Sequence, residues 1–202
     1  MILTLVMDTE SSWRRLSISS VIALFINVGI WSVVVVLPEI EREFNSSRSS
    51  SSLPYTLTLT GFAIGNFVIG SIVDRIGIGR ATIYSTLIVS SNFLLCSLSN
   101  NLFTITLSHF FLGLGTAVGF GPLIADITHW FAKRRGIAVA IIASGNYLSG
   151  VVWSPLIGNM IGNVTWRDTY LGIAIILPTV VIPFAYLLCR KTLEIKSDNS
   201  NE

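Results

Sequence analysis

Few side chains in this sequence could do chemistry in an apolar setting. His109 sits in "SHFFLGLG", inside an otherwise greasy run. An ionisable group there is a candidate for proton exchange or for contact with an anionic ligand; the alternative is a neutral imidazole hydrogen-bonded to a neighbouring helix. Asn27, Asn66 and Asn146 interrupt three other apolar runs, and each amide could bind a solute or tie two helices together. Metal chemistry finds no footing. His109 and His129 have no second ligand at helical spacing, and Cys96 and Cys189 read as small buried hydrophobes. Nor is there an intramembrane serine protease: "IASG", Ile142 to Gly145, carries Ile where Gly-x-Ser-Gly needs its first Gly, and His109 precedes the serine. The expectation is a protein that is not an enzyme and uses no cofactor.

Charge is concentrated in short stretches. "GSIVDRIGIGR" places Asp74, Arg75 and Arg80 between two apolar runs, with Gly70, Gly77 and Gly79 between them. Gly70 is expected to allow close helix approach, and Gly77 and Gly79 to allow a tight turn. The carboxylate and the arginines can pair with one another or with helix ends. A second stretch holds Asp126 at the end of one apolar run and the basic triplet Lys133, Arg134 and Arg135 before the next.

These residues must be positioned by membrane helices. Hydrophobic residues make up 51% of the 202 residues and charged residues only 12%, with a mean hydropathy of +0.71. A soluble domain carries about twice that charge. Six apolar runs are long enough to cross a bilayer as helices: Ser17 to Leu37, Leu53 to Val73, Ala81 to Leu98, Leu102 to Ala125, Gly136 to Ile161 and Tyr170 to Leu188. The alternating pattern of a membrane β-barrel is not seen. "MILTLVM" followed by Asp8 and Glu10 is not a signal peptide. The chain therefore divides into a segment 1–16, a six-helix bundle 17–188 and a polar tail 189–202.

Lysine and arginine orient the bundle. With six spans, one side holds Arg14, Arg15, Arg75, Arg80, Lys133, Arg134, Arg135, Arg190, Lys191 and Lys196, and the other only Arg42, Arg48 and Arg167. The basic side, with both termini, is expected in the cytoplasm and the bundle in the plasma or bacterial inner membrane. His109 then lies roughly 10 Å below the outer end of its helix at about 1.5 Å per residue. The triplets Asn45-Ser46-Ser47 and Asn163-Val164-Thr165 fit a glycosylation pattern on the outer side.

Gly70, Asp74, Arg75, Gly77 and Arg80 resemble the loop signature of the major facilitator superfamily, with Gly79 where that family often has another basic residue. The resemblance implies a conformational latch in which an arginine pairs with an acid near the cytoplasmic end of the fourth helix, a place Asp126 fits. "HWFAKRRGIAVAIIASGNYLSGVVWSPL", His129 to Leu156, resembles the monocarboxylate transporter-like branch: Trp130 and Phe131, then Lys133, Arg134 and Arg135, then small residues, Gly145, Gly150 and Pro155. "WRDTY", Trp166 to Tyr170, is similar to that branch's start of helix six. Two features depart from the pattern. "NVGIWS", Asn27 to Ser32, lacks the acid that usually opens the first-helix motif, and the fifth helix lacks the Gly-Pro pair of drug antiporters, which argues against efflux.

The resemblance implies an all-α integral membrane fold that is half of a facilitator, and a secondary transporter working by alternating access. Its cargo would be a small organic anion such as a monocarboxylate, moved by symport with protons. His109, Asn27, Asn66 and Asn146 are the pathway candidates, His109 standing near a point where the family often has an arginine. The expected partners are the lipid bilayer, the organic anion and a second six-helix half, from a copy of the chain or a separate one, but no nucleic acid. A truncated or structural half without transport activity is the competing expectation.

Overall fold

Asn27 and the glycine-rich middle of the fourth span decide the shape of the molecule, because the chain abandons regular helix at both. The computed structural model describes residues 9–198. The first and last few residues of the expected terminal segments, 1–8 and 199–202, lie outside the described residues. Six helical segments are long and apolar enough to cross a membrane. We label them α1 (Glu10–Phe44), α2 (Arg48–Ile76), α3 (Ile78–Leu98), α4 (Leu102–Thr128), α5 (Arg135–Asn163) and α6 (Trp166–Asp198). No strand occurs among the described residues. The helices overrun the apolar stretches at several ends: α1 starts at Glu10 rather than Ser17, and α6 continues past Leu188. The amphipathic ends carry on the helix that the apolar core starts.

The supposed loop between α2 and α3 is almost entirely helix. Asp74 and Arg75 lie in the last turn of α2, Arg80 in the first turn of α3, and Gly77 alone separates the two helices. Gly77 adopts φ 85, a left-handed value that a side chain disfavours, so one glycine makes the reversal. Gly79 is helical, and its Cα packs on Cys189 and the Ala185 carbonyl of α6. Gly70 has nothing within 4 Å of where a Cβ would stand. Gly79, expected in the turn, thus provides the close approach expected of Gly70.

α1 breaks at Asn27 into Glu10–Ile26 and Val28–Phe44. The Asn27 Nδ2 donates to the Ala23 carbonyl at 2.7 Å, competing with the backbone for it. α4 runs as Leu102–Thr116, tightens to a 3-10 turn at Ala117–Gly119, and restarts as Gly121–Thr128. Pro122 has no N–H for the Val118 carbonyl, which the preceding turn of an α-helix would require, but suits the first turn of the restarted helix. The two breaks touch: the Gly119 Cα faces Ile26 and the Asn27 amide.

Packing repeats with a three-helix period. α2 lies along α4, α5 lies along α1, and α3 lies along α6. In the α2–α4 pair glycine lets backbone meet backbone: Gly61 abuts the Phe110 carbonyl, and Gly113 abuts the Thr58 carbonyl. In the α1–α5 pair Gly145 faces Ala23, and Trp153 Nε1 donates to the Leu24 carbonyl at 3.0 Å. α3 and α6 meet through Val89, Phe93 and Cys96 against Tyr170, Ile173 and Leu177, all buried. Large apolar residues elsewhere face outward, such as Phe67 (80% exposed) on α2 and Val151 (69%) on α5, as expected where the solvent is lipid.

Candidate functional site

α2 packs on α4, α4 on α1 and α1 on α5, so α1 and the middle of α4 are the inner pair, or floor, of a row whose outer members, or walls, are α2 and α5; that row is the trough. The breaks in α1 and α4 sit in that floor, half-way along each span. Non-helical backbone at membrane depth is tolerated where it is buried in protein or lines a cavity, and unwound segments of this kind mark binding sites in carriers.

Two of the expected asparagines close the breaks. Asn27 is fully buried; its Nδ2 also donates to the Gly119 carbonyl at 3.2 Å, and its Oδ1 has no partner among the described residues. Asn66 of α2 donates from Nδ2 to the Phe62 carbonyl at 2.7 Å, and its Oδ1 accepts the Gly121 N–H at 3.1 Å. That N–H is an orphan at the restart of α4, so Asn66 caps the lower half-helix from a different helix. Asn146 of α5 is half-buried, and its carbonyl oxygen and Oδ1 accept the Trp31 Nε1–H at 2.9 and 3.2 Å. All three amides therefore tie helices together around the trough.

His109 is elsewhere. It is fully buried among α3, α4 and α6, behind the floor. Its Nδ1 donates to the Ile105 carbonyl at 2.8 Å and its Nε2 accepts from the Tyr170 hydroxyl at 3.3 Å, with Cys96 Sγ 3.7 Å from Nδ1. Both ring nitrogens are satisfied in the neutral form. The structure thus gives His109 the packing arrangement, and does not bring it together with Asn27, Asn66 or Asn146.

The basic end of the bundle holds a cluster that includes one expected residue with an unexpected partner. Asp126 accepts from Arg15 Nε and Nη2, both at 2.8 Å, a bidentate pair. The Arg15 side chain is 2% exposed, and its guanidinium stacks 4.5 Å over the Trp130 ring. Thus Arg15 of α1, not Arg75 or Arg80, stands at Asp126. Asp74, Arg75 and Arg80 are exposed and have no ion-pair partner among the described residues. Arg135 Nε caps α4 through the Thr128 and Phe131 carbonyls at 3.2 and 3.4 Å, while Lys133 and Arg134 are exposed. At the opposite end Glu43 accepts from Arg167 and from Trp166 Nε1, the latter at 2.6 Å, and Arg167 Nη2 reaches the Ser99 carbonyl at 2.6 Å. This clasp joins α1, the α3–α4 turn and α6.

Trp31, Arg15 and Glu43 were missed by sequence reasoning. Arg15 was counted only among the charges of the basic side, and the partners of Arg15 and Glu43 lie 111 and 124 residues away. Trp31 read only as part of a motif lacking its acid.

Six membrane-length helices, a three-helix packing period and paired breaks half-way along two spans describe an all-α membrane bundle, and comparison of the sequence names its family. Residues 19–202 match the family profile of the Major Facilitator Superfamily. The chain belongs to that superfamily. This chain is 28% identical over 149 residues to the MFS-type transporter pynF of Aspergillus niger, covering 70% of this chain and 34% of that one. It is 28% identical over 181 residues to the agnestins efflux protein AgnL12 of Paecilomyces divaricatus, covering 88% and 42%. To the fujikurins efflux protein of Gibberella fujikuroi it is 31% identical over 127 residues, covering 60% and 27%. The chain thus spans well under half the length of these relatives. The missing Gly-Pro pair in α5 does not separate it from proteins named for efflux.

Proposed function

We propose that this facilitator chain serves as the six-helix N-terminal half of an alternating-access carrier for a small organic molecule, with its basic end in the cytoplasm. The supporting observation is the trough: two broken helices side by side at mid-depth, their freed backbone groups met by Asn27 and Asn66. A second six-helix half would close over it. The relatives named for agnestins and fujikurins efflux support an organic cargo. An organic anion of the monocarboxylate kind, moved together with protons, fits the branch that His129 to Leu156 resembles. No Lys or Arg lies in the middle of any span here, so the cation for a carboxylate would come from the second half. The Gly70 to Arg80 turn, exposed at the basic end, would meet that half as a latch.

The test is solute counterflow in proteoliposomes holding the chain alone, or together with the part of AgnL12 that this chain does not match, using labelled benzoate and pyruvate. Flux above empty liposomes in either preparation supports the carrier reading. No flux in both overturns it and favours a structural half.

A further inference from the structure

Trp31 is an aromatic group of the trough held by two contacts to α5. It lies one turn beyond the Asn27 break, on the α1 strip Trp31, Val34 and Pro38, which the rest of the bundle leaves partly or largely uncovered. α5 runs along one flank of that strip, and α2 and α4 along the other. Two contacts fix the ring. Its Nε1–H donates to both oxygens of Asn146. A Cβ on Gly150 would stand 2.8, 2.9 and 3.1 Å from Cδ2, Cε2 and Cε3 of the indole. Three near-equal distances to the six-membered ring mean that the indole lies flat on the Gly150 backbone. One face of the ring is thereby taken by α5, its polar edge is satisfied, and the ring remains only half-buried.

An indole with its N–H already satisfied offers a ligand a π-face and apolar area, not a hydrogen bond. The surroundings have the same chemistry. Phe62 of α2 and Phe120 of α4 form a tilted ring pair 5.9 Å apart at the α4 break. No charged residue lies between Leu16 and Pro38 on α1, between Leu53 and Val73 on α2, or between Gly136 and Thr165 on α5.

We propose that Trp31, seated on Gly150 and pinned by Asn146, is a specificity-determining platform that selects cargo with a flat aromatic face. This rests on the carrier reading for its biological meaning, but it is a statement about binding and can be tested without transport. Gly150 is essential to it: any side chain there would lift or tilt the ring. Asn146 acts as a positioning residue, holding the indole edge so that stacking costs little ordering of the protein.

The experiment is equilibrium binding of two tritiated probes to the full chain in lipid nanodiscs, with empty nanodiscs subtracted. 2-Naphthol is flat and aromatic; decahydro-2-naphthol has the same carbon skeleton, saturated and puckered. The parent should bind 2-naphthol about fivefold tighter than the saturated probe, the value of one good aromatic pair. Trp31→Leu should remove the preference by weakening 2-naphthol binding more than decahydro-2-naphthol binding, Trp31→Phe should keep part of it, and Gly150→Ala should reduce it with the indole still present. If Trp31→Leu does not fold, the Phe and Gly150 variants carry the test. Equal affinities in the parent, or a preference that survives both Trp31→Leu and Gly150→Ala, overturns the proposal. Flux without an aromatic preference would leave the carrier reading standing and remove the platform; a Trp31-dependent preference without flux would do the reverse.

Discussion

Removing one partner of the Arg15–Asp126 pair should be among the most damaging single changes at the basic end. Both hydrogen bonds are 2.8 Å, and the side chains are 2% and 15% exposed, so water cannot replace the lost partner. Arg15 Nη1 is already buried without a partner among the described residues, which leaves the guanidinium no slack. Breaking a buried pair from one side costs about 3–5 kcal/mol. We expect Asp126→Ala and Arg15→Ala each to lower stability by that amount, Arg15→Ala also losing the stack on Trp130. The double change Arg15→Met with Asp126→Leu removes both charges and refills the volume, and should fall within about 1 kcal/mol of the parent. The assay is reversible unfolding of the chain in mixed dodecylmaltoside and SDS micelles, read by tryptophan fluorescence, with all variants in one thermodynamic cycle. Losses that simply add in the double variant would refute the idea that the two groups stabilise the bundle as a pair.

Three other outcomes are expected. Gly113→Leu would drive a side chain into the Thr58 carbonyl and should destabilise by at least about 1–3 kcal/mol in the same unfolding assay, whereas Gly70→Ala, with open space around it, should be neutral. His109→Ala should lower stability through the lost hydrogen bonds and the cavity beside Tyr170, yet leave the pH profile of any counterflow unchanged; a shifted profile would return His109 to the proton pathway. Asp74→Asn should slow exchange between inward- and outward-open states, seen as slower counterflow with unaltered expression; a parent-like rate would remove the latch role.

The fold was legible in outline because lipid imposes one simple demand. Backbone in hydrocarbon must be helical, so runs such as Tyr170 to Leu188 could be assigned from composition, and the placement of Gly77 from its neighbours. Helix ends were less legible. Polar residues such as Glu10 and Asp74 extend a helix already nucleated by the apolar core, and nothing local marks the difference. The candidate site was half visible. Asn27, Asn66 and Asn146 were found because an amide in an apolar run must be satisfied by something. What satisfies them was hidden: Gly119, Gly121 and Trp31 lie on other helices, at separations that no local pattern reports. His109 shows the same limit. Its sequence position gave its place along α4 but not the side of α4 on which it lies. Asp126 was singled out for its position, while its partner was sought in the nearby turn and found on α1.

The most direct check of the whole account is its crossing pattern. Single cysteines at Ser47→Cys and Arg134→Cys, in a chain with Cys96 and Cys189 changed to Ser, would be challenged in intact cells with a membrane-impermeant maleimide. The account predicts labelling at position 47 from outside, and at position 134 only after the membrane is opened. Labelling of position 134 in intact cells, or of both positions from the same side, would contradict a six-helix facilitator half with its basic end in the cytoplasm.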